Sequence, residues 1–168
     1  MSSDDARDPI AEQINQARER KKAEADAAAG ERSLAADFQR QADRTGKEEL
    51  EKIEALLADR CEKINEAGDV PDFHYDDHSH VLRAGNFALI LDLTEAYSPY
   101  FFDMTSGLRP DAAQVFAPGF EPEYERTRWR LLARMDEDGF FWGCDGEKYS
   151  NEQIVEEGLK ALATNLGQ

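Results

Sequence analysis

Two cysteines, three histidines and no apolar run near the roughly 20 residues that cross a bilayer set the first limits on this 168-residue chain. Cys61 and Cys144 stand alone, in no CxxC or Cys/His metal spacing, and read as small, partly buried apolar residues. The N-terminus lacks the apolar core of a secretory signal and is too acidic for a transit peptide, so a cytoplasmic location is expected. No GxSxG, P-loop, GxGxxG or HExxH is present. Carboxylates are too numerous for any pair to stand out as acid and base, so the reading leans against an enzyme.

Basic residues are also scarce where the chain is expected to fold. Residues 1–47 hold 10 acidic and 9 basic side chains, whereas residues 48–168 hold 26 acidic and 11 basic ones, a net of −15. That surplus repels phosphate backbones and anionic membrane surfaces, which disfavours both as partners. A protein partner remains open, although acidity by itself also serves solubility.

What the sequence does have is periodicity. "RDPIAEQINQARERKKAEADAAAGE" carries helix punctuation: Asp8 as cap, Pro9 in the first helical position, Gly30 as stop. Its interior is rich in strong helix formers, but Ile10 and Ile14 are its only large apolar anchors. Arg18–Lys22 ("RERKK") is balanced by Glu12, Glu24 and Asp26 and reads as a solvated face. Residues 31–44 predict a second weak helix, with Gly46 breaking or bending it. The domain plan is therefore a charged helical extension over 1–46 and an α+β domain over 47–168. Thr45 and Glu48 have capping-box spacing and introduce a third helix. Along it Leu50, Ile53, Leu56, Leu57, Cys61 and Ile64 form one apolar face, with Gly68 as stop. This stripe either packs on the domain's own sheet or, through Leu50, Ile53, Leu57 and Ile64, forms a homodimer seam.

From Val70 the period turns strand-like. "HVLR" and "NFALILDLT" flank a turn at Ala84-Gly85-Asn86, "YSPYFFDMT" follows as an edge or irregular strand, and "ERTRWRLLARMDEDGFFWGC" reads as a hairpin turning at Asp138-Gly139. Between them lies a Gly/Pro-rich connection with about one helical turn at Asp111–Phe116. Ser150 and Gln153 cap a final helix with Ile154, Val155, Leu159, Leu162 and Leu166 on its apolar side. The expected fold is α+β: a mostly antiparallel sheet of about five strands, packed by an N-terminal and a C-terminal helix.

Three stretches invite chemistry. "DFHYDDHSH" holds every histidine. As an extended strand it would place His74, Asp76, His78 and His80 on one face, where imidazole and carboxylate can ligate a transition metal. His78 and His80 are the best pair, and a loop beside the sheet is the plainer alternative. Arg126, Arg128 and Arg130 share a strand face, with Arg134 taken as one step out of phase. They suit an anion or, in so acidic a body, cross-strand carboxylates. "RMDEDGFFWGCDGE" only echoes a calcium loop, since Arg134 takes the first ligand position and the closing residue is Asp145 rather than Glu. No cofactor is expected. The aromatics of "YFF" and "FFW" occupy both faces of their strands, so a face left uncovered would expose an apolar patch.

Residues 48–168 also resemble, in element order and acidity, the small acidic chaperones of type III secretion, α-β-β-β-α-β-β-α dimers. The resemblance implies an exposed apolar surface that binds an unfolded segment of a client protein, with the middle helix reduced to the turn at Asp111–Phe116. The best-supported expectation is a non-enzymatic protein-interaction module that self-associates or binds a protein partner. A metal- or small-ligand-binding protein built on His74–His80 is the further alternative.

Overall fold

In the computed structural model, residues 8–68, 73–94, 97–109, 111, 118–119 and 124–167 are described. The chain divides into two units, Met1–Phe38 and Gln39–Gln168. Helix α1 runs Pro9–Ala67. It starts where the sequence places it: the Asp8 carboxylate accepts the Ile10 backbone N–H at 3.0 Å. Within the first unit its side chains from Ile10 to Asp37 are exposed, Ile10, Ile14 and Leu34 among them. Helicity there rests on Ala, Glu, Gln, Lys and Arg rather than on burial.

One helix replaces the three expected. Gly30 does not stop it, because a lone glycine costs only about 1 kcal/mol relative to Ala and strong helix formers lie on both sides. Thr45 and Glu48 likewise sit inside the helix rather than at its start. Gly46 has a different purpose. A Cβ there would lie 2.8 Å from Ala133 Cβ and 2.8 Å from the Tyr100 ring, so glycine is what lets the helix approach the sheet. Ala42 and Gly46 already belong to the buried set, so the core begins ahead of residue 47.

In the second unit seven strands form an antiparallel meander: β1 (His74–Asp76), β2 (Val81–Ala84), β3 (Phe87–Leu93), β4 (Phe101–Leu108), β5 (Thr127–Asp136), β6 (Gly139–Cys144) and β7 (Glu147–Tyr149). The expected hairpins are β2–β3, turning at Gly85 with φ +57°, and β5–β6, whose turn is Glu137–Asp138, one residue ahead of the expected Asp138-Gly139, with Gly139 opening β6 at φ +112°. The two strands beyond the expected five, β1 and β7, are three residues each at the two edges. Pro99 precedes β4 rather than lying within it. Of the expected helical turn at Asp111–Phe116, all but Asp111 lies outside the described residues.

Helix α2 (Asn151–Leu166) closes the chain with the predicted capping box. Ser150 Oγ accepts the Gln153 N–H at 3.2 Å, and the Gln153 side chain accepts the Ser150 N–H at 2.8 Å. Residues 39–67 of α1 and helix α2 pack on the same sheet face. Leu50, Ile53, Leu57 and Cys61 from α1 meet Leu82, Leu89, Phe102, Met104, Leu131 and Trp142 from the sheet and Ile154, Val155 and Leu162 from α2. Phe102 meets Trp142 edge-on at 4.9 Å, and the indole N–H donates to Asn151 Oδ1 at 2.9 Å. The helix stripe therefore serves its own sheet. Leu50, Ile53 and Leu57 are 3, 0 and 1% exposed, and the half-buried Ile64 packs against the same core. Among the described residues, no helix is long and apolar enough to cross a membrane.

Candidate functional site

The second face of the sheet carries neither residues 39–67 of α1 nor α2. Strand alternation and register place Arg83, Arg128, Arg130, Arg134 and Lys148 there, and Arg126, just ahead of β5, joins them over Gly107: six of the eleven basic residues of 48–168. Arg134 is in phase with the other arginines, because Leu132 occupies the intervening place in the same alternation. Among the described residues four acidic residues share the face: Asp76, Asp92, Asp103 and Asp136.

Asp103 is the centre of this surface. It lies on β4 opposite Arg130 and is 6% exposed, whereas the Arg128 and Arg130 side chains are 59% and 55% exposed. Arg130 donates to Asp103 through Nε at 2.9 Å and Nη2 at 3.1 Å, and Arg128 through Nη2 at 2.6 Å. The Arg130 hydrogen bonds, joined by those of Arg128, hold the Asp103 carboxyl below the usual aspartate range despite its burial. Two guanidinium groups are thus fixed over one carboxylate, each with donors left for another acceptor. The cross-strand pairing anticipated for these arginines is present at Arg128 and Arg130. Arg126 makes no ion pair among the described residues and lies over Gly107, whose added Cβ would stand 3.6 Å from Arg126 Cγ.

The aromatics of this face are capped by cations rather than bare. The Arg130 guanidinium lies 4.4 Å from the Phe101 ring centroid, and Lys148 Nζ lies 4.5 Å from that of Phe141. Tyr97, 65% exposed, stands 5.9 Å from Phe101 and extends the stack. The apolar patch expected on an uncovered face is here an arginine–aromatic surface, because Arg128 and Arg130 alternate on β5 and Arg126 continues the same spacing just ahead of it.

The histidine stretch folds differently from a single strand. Extension ends at Asp76, and Asp77–His80 form a turn. The Asp76 carboxylate holds that turn, accepting from the His78 N–H at 3.0 Å and the Ser79 hydroxyl at 2.7 Å; the Ser79 and His78 hydrogen bonds keep it below the usual range. His80 takes φ +56°, which breaks the alternation that would have aligned the four donors. His74 and His78 face solvent, while His80 Nδ1 turns back to Glu54 on α1, which also accepts from the Tyr75 hydroxyl at 3.0 Å. Burial, with Glu54 beside it, pushes the Tyr75 phenol well above its ordinary range. Among the described residues no three His, Cys, Asp or Glu side chains are placed to hold a metal ion.

A groove of about 520 Å³ separates α1 from β1, lined by Ala55, Ala58, Asp59, Glu62 and His74, with Cys61 and Tyr75 behind. Burial raises both thiols, Cys61 and Cys144, away from the thiolate form that nucleophilic chemistry needs. Sequence reasoning missed Asp103 as the organising acid and Glu54 as the partner of His80. The signal for Asp103 was a lone aspartate at an outward position of an otherwise apolar "FFDMT".

No family model matches this chain, and no curated protein or solved structure matches it.

Proposed function

We propose that the protein is a non-enzymatic interaction module whose binding surface for a protein partner is the second face of the sheet. The observation that carries this reading is the Arg128–Asp103–Arg130 cluster beside Tyr97 and Phe101. Arginine and aromatic residues are the types enriched where interfaces concentrate their binding energy. A buried carboxylate beneath two half-exposed guanidinium groups pre-organises them, which lowers the ordering cost a partner must overcome. The stripe Leu50, Ile53, Leu57 and Ile64 is not part of this reading, since its side chains already pack on the chain's own sheet. A reducing compartment, the cytoplasm, suits its two free thiols.

The test compares wild type with Tyr97→Ala/Arg126→Ala as immobilised bait in extracts of the source cells. Both positions are exposed, so the variant keeps its fold. A protein retained by wild type alone, and bound again when purified, supports the reading; identical capture by both baits removes it.

A further inference from the structure

We infer that the occupant of this face is an extended, acidic protein segment with Asp or Glu at alternate positions, lying along β5; this rests on the interaction-module reading above. The first support is charge. The face gathers six of the eleven basic residues of 48–168, a stretch that sums to −15, against four carboxylates among the described residues, of which Asp103 and Asp136 are in ion pairs and Asp76 holds its own turn. A positive surface on a negative body selects an anionic partner locally, while the rest of the molecule repels indiscriminate polyanions.

The second support is spacing. Arg128 and Arg130 stand at alternate residues of β5, so their Cα atoms lie about 6.8 Å apart along the strand, and Arg126, two residues before Arg128 and just ahead of the strand, keeps to the same face over Gly107. An extended peptide presents alternate side chains at the same interval, and carboxylate is the group that a guanidinium fork binds bidentately. The donors are available: Arg126 makes no ion pair among the described residues, Arg128 uses Nη2 alone on Asp103, and Arg130 leaves Nη1. The Tyr97–Phe101 stack lies at the end of this row and gives the intervening side chains of the peptide an apolar contact.

The same face of a second copy does not fit. Face-to-face pairing would set these arginines against one another, and opposed like charges across an interface suppress association. Nucleic acid fits less well than peptide, because its affinity grows with the number of phosphates neutralised, and the surface beyond this row is acidic.

Fluorescence anisotropy at low salt tests the inference on the full chain. The probes are a labelled peptide of alternating Glu and Thr long enough to span β5, a peptide of the same composition with its Glu residues in one block, and an oligothymidylate. The expected result is saturable binding of the alternating peptide, weaker binding of the block peptide, and a loss of about tenfold in Arg126→Glu, the equivalent of one charge-assisted contact. Arg126→Glu leaves the Asp103 cluster untouched, and Arg128→Ala/Arg130→Ala/Asp103→Asn removes the cluster without stranding a buried charge. No saturable binding, equal binding of both peptides, unchanged affinity in Arg126→Glu, or tighter binding of the oligonucleotide each overturns the inference. A partner lost from the Tyr97→Ala/Arg126→Ala bait while the peptide fails to bind overturns the acidic-segment inference alone and leaves the interaction-module reading in place.

Discussion

Gly46 on α1 faces Ala133 on β5 so closely that a Cβ on the glycine would stand 2.8 Å from the alanine Cβ. Ala133 has no side-chain freedom with which to retreat, and the Tyr100 ring blocks the other side at the same distance. Gly46→Ala gains about 1 kcal/mol of helix propensity but incurs an overpacking cost of about 1–3 kcal/mol. The expected outcome is a lower urea midpoint. Two other glycines calibrate it. Gly158→Ala meets Leu89 Cδ2 at 2.7 Å and Met104 Sδ at 3.0 Å, the ends of side chains that can rotate, so its effect should be closer to neutral. Gly30→Ala meets nothing within 4 Å and should raise helicity by circular dichroism. Equal destabilisation at all three positions would show that glycine's role in these helices is not close approach.

Asp103 should govern part of the acid limb of the stability curve. Its folded-state carboxyl lies below the unfolded value, chiefly through the Arg130 hydrogen bonds. The stabilisation is therefore complete above the ordinary aspartate range and is lost as pH falls through the depressed folded value. Asp103→Asn keeps the shape and removes the charge beneath two guanidinium groups, at an expected cost of about 1–3 kcal/mol at neutral pH. Denaturant titrations across pH should show the gap between wild type and variant closing as both are taken below pH ~4. A gap independent of pH would mean that packing, not charge, is what Asp103 contributes.

Elements with a strong local signature were legible in the sequence. The Leu50, Ile53, Leu57, Cys61 spacing, the turn at Gly85-Asn86, the β5–β6 hairpin signalled by Asp138-Gly139 one residue past its actual turn, and the Ser150–Gln153 box each encode their structure within a few residues. Strands β1 and β7 were not, since three residues are too few for alternation to register and their pairing is tertiary. Gly46 reads as a helix breaker because the strand it approaches lies almost ninety residues further along the chain. The arginine row was visible, but the role of Asp103 was not. It depends on the β4–β5 register, which a long Gly/Pro-rich connection leaves open to sequence reasoning.

The histidines should not assemble a metal site. His80 is committed to Glu54, the Asp76 carboxylate holds its own turn, and His74 and His78 face solvent. Zinc titration by calorimetry is expected to give no stoichiometric heat and no shift in melting temperature. One-to-one binding with a raised melting temperature would require the Asp77–His80 turn to rearrange and would restore the extended-strand arrangement as a bound state.

The buried contact between Asn165 and Ser106 offers a sharper test of how the second helix is held. Asn165 on α2 donates to Ser106 Oγ on β4 at 2.9 Å; both are essentially inaccessible, and Asn165 Oδ1 has no hydrogen-bond partner among the described residues. The pair is thus half-satisfied, an arrangement that low dielectric makes expensive. Ser106→Ala alone strands the Asn165 amide and should destabilise by about 1–3 kcal/mol. Ser106→Ala/Asn165→Leu removes both polar partners and fills the space with an apolar group, so it should recover that loss and match or exceed wild type. A double-mutant cycle by urea unfolding measures the coupling directly. If the double variant is no more stable than Ser106→Ala, a second, unseen partner must satisfy Asn165.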